Sequence, residues 1–263
     1  LYGEKILLKL TTLRSLRSVD QLGLTEDSLK LLQRLLAKAE GMLLIMGPPD
    51  HGKTTTLYSL LKHYQQAVMD VLMLESPVEL IMPGITQISG HTPLSYDTWQ
   101  SFVAYTHPDV LAINDLEDEL MLRLAFEFAP TTQVLASYTA GNSLNGLRTL
   151  TESINAVHSL HLPALLPVLL DTLNGIIVQR LVRTLCPHCK EDIPDDDRNP
   201  SLLQRLGIEA QDTSQFPLYR AKGCQECMDT GYQGQTGLFE IIRCDKHVTQ
   251  ALLQHPPISV AQW

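Results

Sequence analysis

Apolar residues fall along this chain in two alternating rhythms. Short, nearly continuous runs occupy 42–46, 69–75, 108–115 and 133–137, and each reads as a strand buried on both faces. Between and before them, apolar residues recur at helical spacing over 22–39, 55–61, 97–106 and 117–128. Thr25 is the expected N-cap of the first of these helices, with Ser28 three residues on, and Gly41 stops it. Further along, 143–159 and 163–173 read as helices, 174–183 as an apolar strand and 245–254 as a last short helix. A short strand is expected over 84–89, and residues 1–10 look like a strand belonging to something that precedes them. Strands alternating with helices at this spacing imply a mostly parallel sheet with helices on both faces. Ligands of such sheets sit at the carboxyl ends of the strands.

Composition narrows the class. A chain of 263 residues, 44% hydrophobic and 19% charged, has enough apolar material for a large folded core. Its formal charge of −9 argues against a nucleic-acid binder, which carries a basic face. The most apolar stretch, 162–170, is short and broken by prolines, so no transmembrane segment is expected, and no signal peptide is read. A first residue of Leu rather than Met suggests a piece of a longer chain. Four of the five cysteines form two C-x-x-C pairs, which points to a metal site in a reducing compartment rather than to disulfides.

The candidate chemistry centres on Gly47-Pro48-Pro49-Asp50-His51-Gly52-Lys53-Thr54, followed by Thr55. It fits G-x-x-x-x-G-K-[ST], the phosphate-binding loop, and lies between a strand and a helix as that motif requires. Backbone N–H groups and the helix dipole would face the phosphates, Lys53 would reach the β- and γ-phosphates of ATP, and Thr54 would ligate Mg²⁺. The alternative is a Gly-Pro turn before an ordinary helix. Asp50 is out of keeping with the rest, because a carboxylate inside the cradle repels phosphate. Glu75 and Asp115 end two other strands and so reach the same edge of the sheet. Cys186, Cys189, Cys224 and Cys227 supply four thiolates suited to a closed, structural Zn²⁺ site, the alternative being free thiols in loops. His188 is a bystander within the first pair; His107, His158 and His161 form no pattern.

In the order of its motifs the chain resembles the secretion ATPases of type II secretion and type IV pilus assembly. The resemblance rests on Gly47 to Thr56, on Leu74 to Glu79 as an aspartate box, on Pro108 to Asp118 as a Walker B region, on Leu173 to Arg183, and on the cysteine pairs. It implies an α/β, RecA-like P-loop core over 21–185, preceded by the end of another domain and a linker over 1–20. A tetracysteine module over 186–235 and a helical part over 236–263 would follow. It further implies ATP and Mg²⁺ as cofactors, a hexameric ring on the cytoplasmic face of the inner membrane, and a membrane platform protein as partner. Glu75 and Asp115 would be catalytic, Thr54 and Asp115 would hold Mg²⁺, and Arg180 would lie near the nucleotide.

The departures matter as much. Where the family has Gly-Glu-Ile-Arg-Asp, this chain has Asn114-Asp115-Leu116-Glu117-Asp118; a family arginine is replaced at Tyr105; and its histidine box has Ala140. Loss of cations around a γ-phosphate weakens catalysis, since one arginine finger is worth about 10³ to 10⁵ in rate. Two readings follow: a motor subunit with weakened hydrolysis, or a non-hydrolysing nucleotide-binding subunit of the same machinery. A nucleic-acid translocase is disfavoured by the charge.

Overall fold

The computed structural model describes residues 16–89, 95–156, 165–194, 203 and 217–254. The strand expected at 1–10, the ends of the helices expected at 143–159 and 163–173, and most of the acidic loop after Asp192 lie outside them. The chain divides into two units. One runs up to Arg180 and resumes at Leu238; the other spans Leu181 to Gly237.

The first unit is built on a sheet whose strands follow the order β3-β2-β4-β5-β1-β6-β9. They are β1 (Gly41–Gly47), β2 (Val71–Glu75), β3 (Thr86–Ser89), β4 (Val110–Ile113), β5 (Gln133–Thr139), β6 (Leu173–Leu185) and β9 (Tyr232–Arg243). The pairs from β3 across to β6 are all parallel. β1 lies in the middle, between β5 and β6, and all seven of its residues are buried. β6 and β9 carry the chain out of this unit and back into it.

Alternation along the strands sorts the core into two layers. Leu43 and Ile45 of β1, Val71 and Met73 of β2, Ala112, Leu135 and Ile177 point to one face. There they meet α1 (Glu26–Leu36) and α2 (Lys53–Gln66) through Leu32, Leu35, Leu57, Leu60 and Leu61. Met42, Leu44, Met46, Leu72, Leu74, Leu111, Ile113, Val134 and Ile176 point to the other. That face is covered by α3 (Tyr96–Thr106), α4 (Glu119–Phe128), α5 (Ser143–Ala156) and α6 (Leu165–Thr172). A further helix, α7 (Lys246–Gln254), follows β9.

Local chemistry sets the helix starts. Thr25 accepts the Ser28 N–H at 3.3 Å, as its position in the sequence suggests. Asp118 caps α4 by accepting from Leu120 and Met121, so the helix begins two residues later than the 117–128 pattern indicates. One element differs outright. Residues 236–243, expected within a helical part, complete β9 instead. Gly234 and Gly237 interrupt its apolar pattern, while Phe239, Ile241 and Ile242 supply the core contacts.

The second unit is small. It contains the pair β7 (Glu191–Asp192) and β8 (Tyr219–Arg220), which run antiparallel. Among its described residues, the buried cluster consists of Cys186, Cys189 and Cys227, with Cys224 packed against them.

Candidate functional site

The loop from Pro48 to Gly52 joins the carboxyl end of β1 to the first turn of α2. Gly52 is the N-cap, with φ 84, and contributes no side-chain bond that would close the helix end. The N–H groups of that first turn have no intrahelical acceptor and form a seat for an anion. Asp50 also sits at positive φ, 61, a conformation Asp tolerates better than most residues. Gly47 must be glycine for a different reason: a Cβ there would lie 2.6 Å from the Gln179 carbonyl oxygen.

Lys53 folds over the loop. Its Nζ donates to the Gly47 and Pro48 carbonyls, each at 3.0 Å. Burial pulls its pKa below the ordinary value, and the negative charges of Asp115, Glu117 and Asp50 act against that shift. Three carboxylates therefore bear on the one lysine of the loop. Pro49, Asp50 and Thr55 are exposed, while Pro48, His51, Gly52, Lys53 and Thr54 are half-buried.

Beside the loop lies a hydrogen-bonded cluster. Thr54 Oγ1 donates to Asn114 Oδ1 at 3.3 Å, and Ser137 Oγ donates to the same oxygen at 3.2 Å. Asn114 Nδ2 donates to Glu75 Oε1 at 2.9 Å. Tyr58 Oη donates to Glu75 Oε2 at 2.5 Å, and the Glu79 N–H reaches that oxygen at 3.4 Å. Glu75 is 2% exposed. Burial raises its pKa above the ordinary carboxylate range, and the bonds from Tyr58, Glu79 and Asn114 counter only part of that. Asp115 stands at the surface, its Oδ1 accepting the Glu117 N–H at 2.9 Å; desolvation raises its pKa too.

The oxygens around the loop are of the kind that Mg²⁺ takes. A hard divalent cation takes several oxygen ligands in near-octahedral geometry. Here the Thr54 hydroxyl gives its proton to an amide oxygen and keeps its lone pairs for a cation, whereas both oxygens of Glu75 are engaged by donors, one of them an amide N–H. Of the expected magnesium pair, Thr54 lies inside the cluster, whereas Asp115 lies outside it.

Arg180 ends near the loop by way of β5. Its Nη2 donates to the Gly141 carbonyl at 2.9 Å, and the neighbouring Ala140 N–H donates to Gly47 O at 3.1 Å. The preceding residue, Gln179, donates from Nε2 to the His51 carbonyl at 2.7 Å while its Oε1 is buried without a partner. Sequence reading missed Gln179, Asn114 and Tyr58. The available signal was a glutamine closing the apolar run Ile176-Ile177-Val178 and an asparagine just before Asp115. Tyr105, standing where the family has arginine, is 86% exposed.

In the second unit the four expected cysteines come together, all ligand atoms lying within 4.8 Å of one another. Sulfur separations are 4.0 Å for Cys186–Cys224, 3.8 Å for Cys189–Cys227 and 3.7 Å for Cys224–Cys227. Four sulfurs at tetrahedral Zn–S distance stand about 3.8 Å apart, so the residues fit Zn²⁺. The Cys224 and Gly231 N–H groups donate to Cys227 Sγ at 3.3 and 3.2 Å. Although burial opposes it, these bonds bring that thiol down to about 6. With four protein ligands the site has no open position, which suits a structural role.

Comparison with known proteins agrees with this architecture. The family model described as "Type II/IV secretion system protein" matches residues 1–260. "Type II secretion system protein E" of Pseudomonas aeruginosa is 31% identical over 250 residues, which are 94% of this chain and 47% of that protein. "Type IV pilus assembly ATPase TfpB" of Acinetobacter baylyi is 30% identical, over 95% of this chain and 41% of its own length. The chain thus spans about half the length of the curated relatives it matches. Among solved structures, the pilus retraction motor PilT with bound ADP superposes with a TM-score of 0.60 at 16% identity, covering 91% of this chain and 57% of that one. The ATPase DotB of Legionella pneumophila gives 0.57 at 17%, covering 91% and 54%. These two establish the fold, a mostly parallel sheet with helices on both faces. The chain belongs to the type II/IV secretion system protein family.

Proposed function

We propose that this chain binds ATP at the Gly47–Thr55 loop and serves as the nucleotide-binding part of a type II secretion or type IV pilus ATPase, with weak hydrolysis. The observation that carries this reading is the loop itself. A left-handed Gly52 opens the first turn of α2, and Lys53 is held over the cradle by the Gly47 and Pro48 carbonyls. An incoming phosphate takes over those lysine bonds and the N–H groups of the helix end. Asp115 is the residue that would orient attacking water, and Arg180 would need only to exchange Gly141 for the nucleotide. Glu75 is too deeply bonded to act on substrate directly and positions its neighbours instead. The Cys186–Cys189–Cys224–Cys227 cluster holds a structural Zn²⁺. By analogy with the relatives, the assembled protein forms a homo-oligomer, a hexamer, on the cytoplasmic side of the inner membrane beside a platform protein. No described helix is long and apolar enough to cross a membrane.

Slow turnover is supported by the charges near the loop. Asp50, Asp115 and Glu117 all bear on Lys53, and no arginine stands at Tyr105 or Glu117 to offset the charge that develops on a γ-phosphate. The same charges support the second reading, a non-hydrolysing subunit. Calorimetric titration with ATP, beside steady-state turnover, tests both. Lys53→Ala is expected to weaken binding by about a hundredfold or more. Unchanged affinity in that variant would overturn the loop assignment. Binding with no turnover would select the non-hydrolysing form.

A further inference from the structure

Gln179 stands against the phosphate loop where β6 leaves the core. β6 pairs with β1 as far as Val178 opposite Met46, so Gln179 comes level with the start of the loop. Two residues beyond Ile177, it shares the sheet face that α1 and α2 cover. It is 2% exposed. Its Nε2 donates to the His51 carbonyl at 2.7 Å, while its Oε1 is buried without a partner. The main chain is close too: a Cβ on Gly47 would lie 2.6 Å from the Gln179 carbonyl oxygen and 3.4 Å from its Cγ.

The orphaned oxygen is informative. A buried acceptor with no donor costs stability. Turning the amide over gives no relief, because it would set oxygen against oxygen at His51. A methionine of similar length would carry no such cost. A glutamine with no role beyond ending a strand would keep its oxygen in water. Here the one hydrogen bond of the carboxamide goes to the loop, and the unmet oxygen is what that bond costs the fold.

Peptide geometry says what the bond does. The His51–Gly52 peptide is trans, so its C=O and N–H point in opposite directions. Holding the His51 oxygen toward β6 turns the Gly52 N–H the other way, to the side where the first turn of α2 can seat an anion. Asp50 and Gly52 flank His51 with φ of 61 and 84, so no regular backbone structure fixes this peptide. Neighbouring carbonyls are held by other groups. Gly47 O accepts from the Ala140 N–H at 3.1 Å and from Lys53 Nζ, and Gly52 O accepts from the Thr56 N–H at 3.0 Å.

We propose that Gln179 is a positioning residue for nucleotide: by holding the His51 carbonyl it aims the Gly52 N–H at the phosphates. The proposal rests on the nucleotide reading of the loop.

The test is calorimetric titration of the full chain with ADP and Mg²⁺, beside urea denaturation, for wild type, Gln179→Met and Gln179→Glu. Gln179→Met removes the donor and the orphaned oxygen together. It is expected to bind ADP about tenfold more weakly, the scale of one lost hydrogen bond to a charged group. Its urea midpoint is expected to equal or exceed that of wild type. Gln179→Glu keeps the shape of the side chain. Protonated, its carboxyl donates to the His51 carbonyl as the amide does; ionised, it repels that oxygen. At about pH 5.5, where burial favours the protonated form, it is expected to bind within about threefold of wild type. At about pH 8 the gap is expected to widen to tenfold or more. Wild type measured at each pH is the reference, so protonation of the nucleotide drops out of the ratio. Wild-type affinity in Gln179→Met would overturn this proposal and leave the nucleotide reading standing. Weaker binding with a lowered urea midpoint, and no recovery of Gln179→Glu in acid, would reduce Gln179 to a packing role and overturn it equally. Absence of ADP binding by wild type would instead overturn the nucleotide reading, and this proposal with it.

Discussion

At the scale of single residues, two carboxylates act by opposite means. Asp50 is exposed, sits at φ 61 and stands among the charges that bear on Lys53. A carboxylate about 5 Å from a phosphate oxygen costs roughly 3 kcal/mol at an effective dielectric near 20, and screening reduces this to about 1. Asp50→Gly is therefore expected to tighten ATP binding about fivefold, with turnover still low because Tyr105, Glu117 and Ala140 are unchanged. Calorimetry beside a phosphate-release assay checks both halves. Unchanged affinity would mean that the Asp50 side chain turns away from the phosphates. Glu75 works from inside. Its pKa is raised by burial, so the folded state holds its proton more tightly than the unfolded chain does. The sign follows from linkage. The contribution of Glu75 to stability is complete below its ordinary value of 4.5 and falls as pH rises from there through the raised folded value. Urea denaturation of wild type and Glu75→Gln across that window is expected to show the wild type losing ground to the variant as pH rises. A difference independent of pH would rule out the buried carboxylate as its source.

At the scale of elements, α1 shows how local chemistry becomes helix stability. Thr25→Ala removes the acceptor of the Ser28 N–H and is expected to cost about 1 kcal/mol, read as a lower urea midpoint with an unchanged slope. That cap was legible because a cap is a local pattern. The parallel strands were legible for a similar reason: β1, β2, β4 and most of β5 are buried on both faces and so read as unbroken apolar runs. β9 was not, since only part of it meets the core and glycines break its alternation. The strand–loop–helix order around Gly47 to Thr54 and the meeting of the two cysteine pairs were legible because such motifs have fixed spacing. The cluster around Asn114 was not. Its partners lie 60, 39 and 23 residues away, and only the pairing of β2, β4, β5 and β1, with α2 following β1, brings them together. Asp118 illustrates the converse. The sequence places it in a stretch that resembles a Walker B region, and the structure uses its side chain as the N-cap of α4.

At the scale of the whole molecule, the two units have cores of different kinds. The first buries two apolar layers against a central sheet. The second has a two-residue strand pair, and the described residues of its buried cluster are the cysteines themselves. The Glu191 ion pairs with Lys222 and Arg220, at 2.5 and 3.5 Å, are at the surface and add little in water. So small a unit needs a metal or a covalent staple, and its cysteines are spaced for a metal. Protein purified without chelator is expected to carry one equivalent of zinc. Stripping that metal, or replacing Cys224 with Ser, is expected to expose residues 181–237 to protease. Nucleotide binding should survive, because Gly47 to Thr55, Asn114 and Arg180 all belong to the first unit. Elemental analysis, limited proteolysis and an ADP titration on the same metal-free sample check the three parts together. Less than half an equivalent of metal would exclude the site. Loss of ADP binding on chelation would show instead that the first unit depends on the metal, against the separation of the two cores.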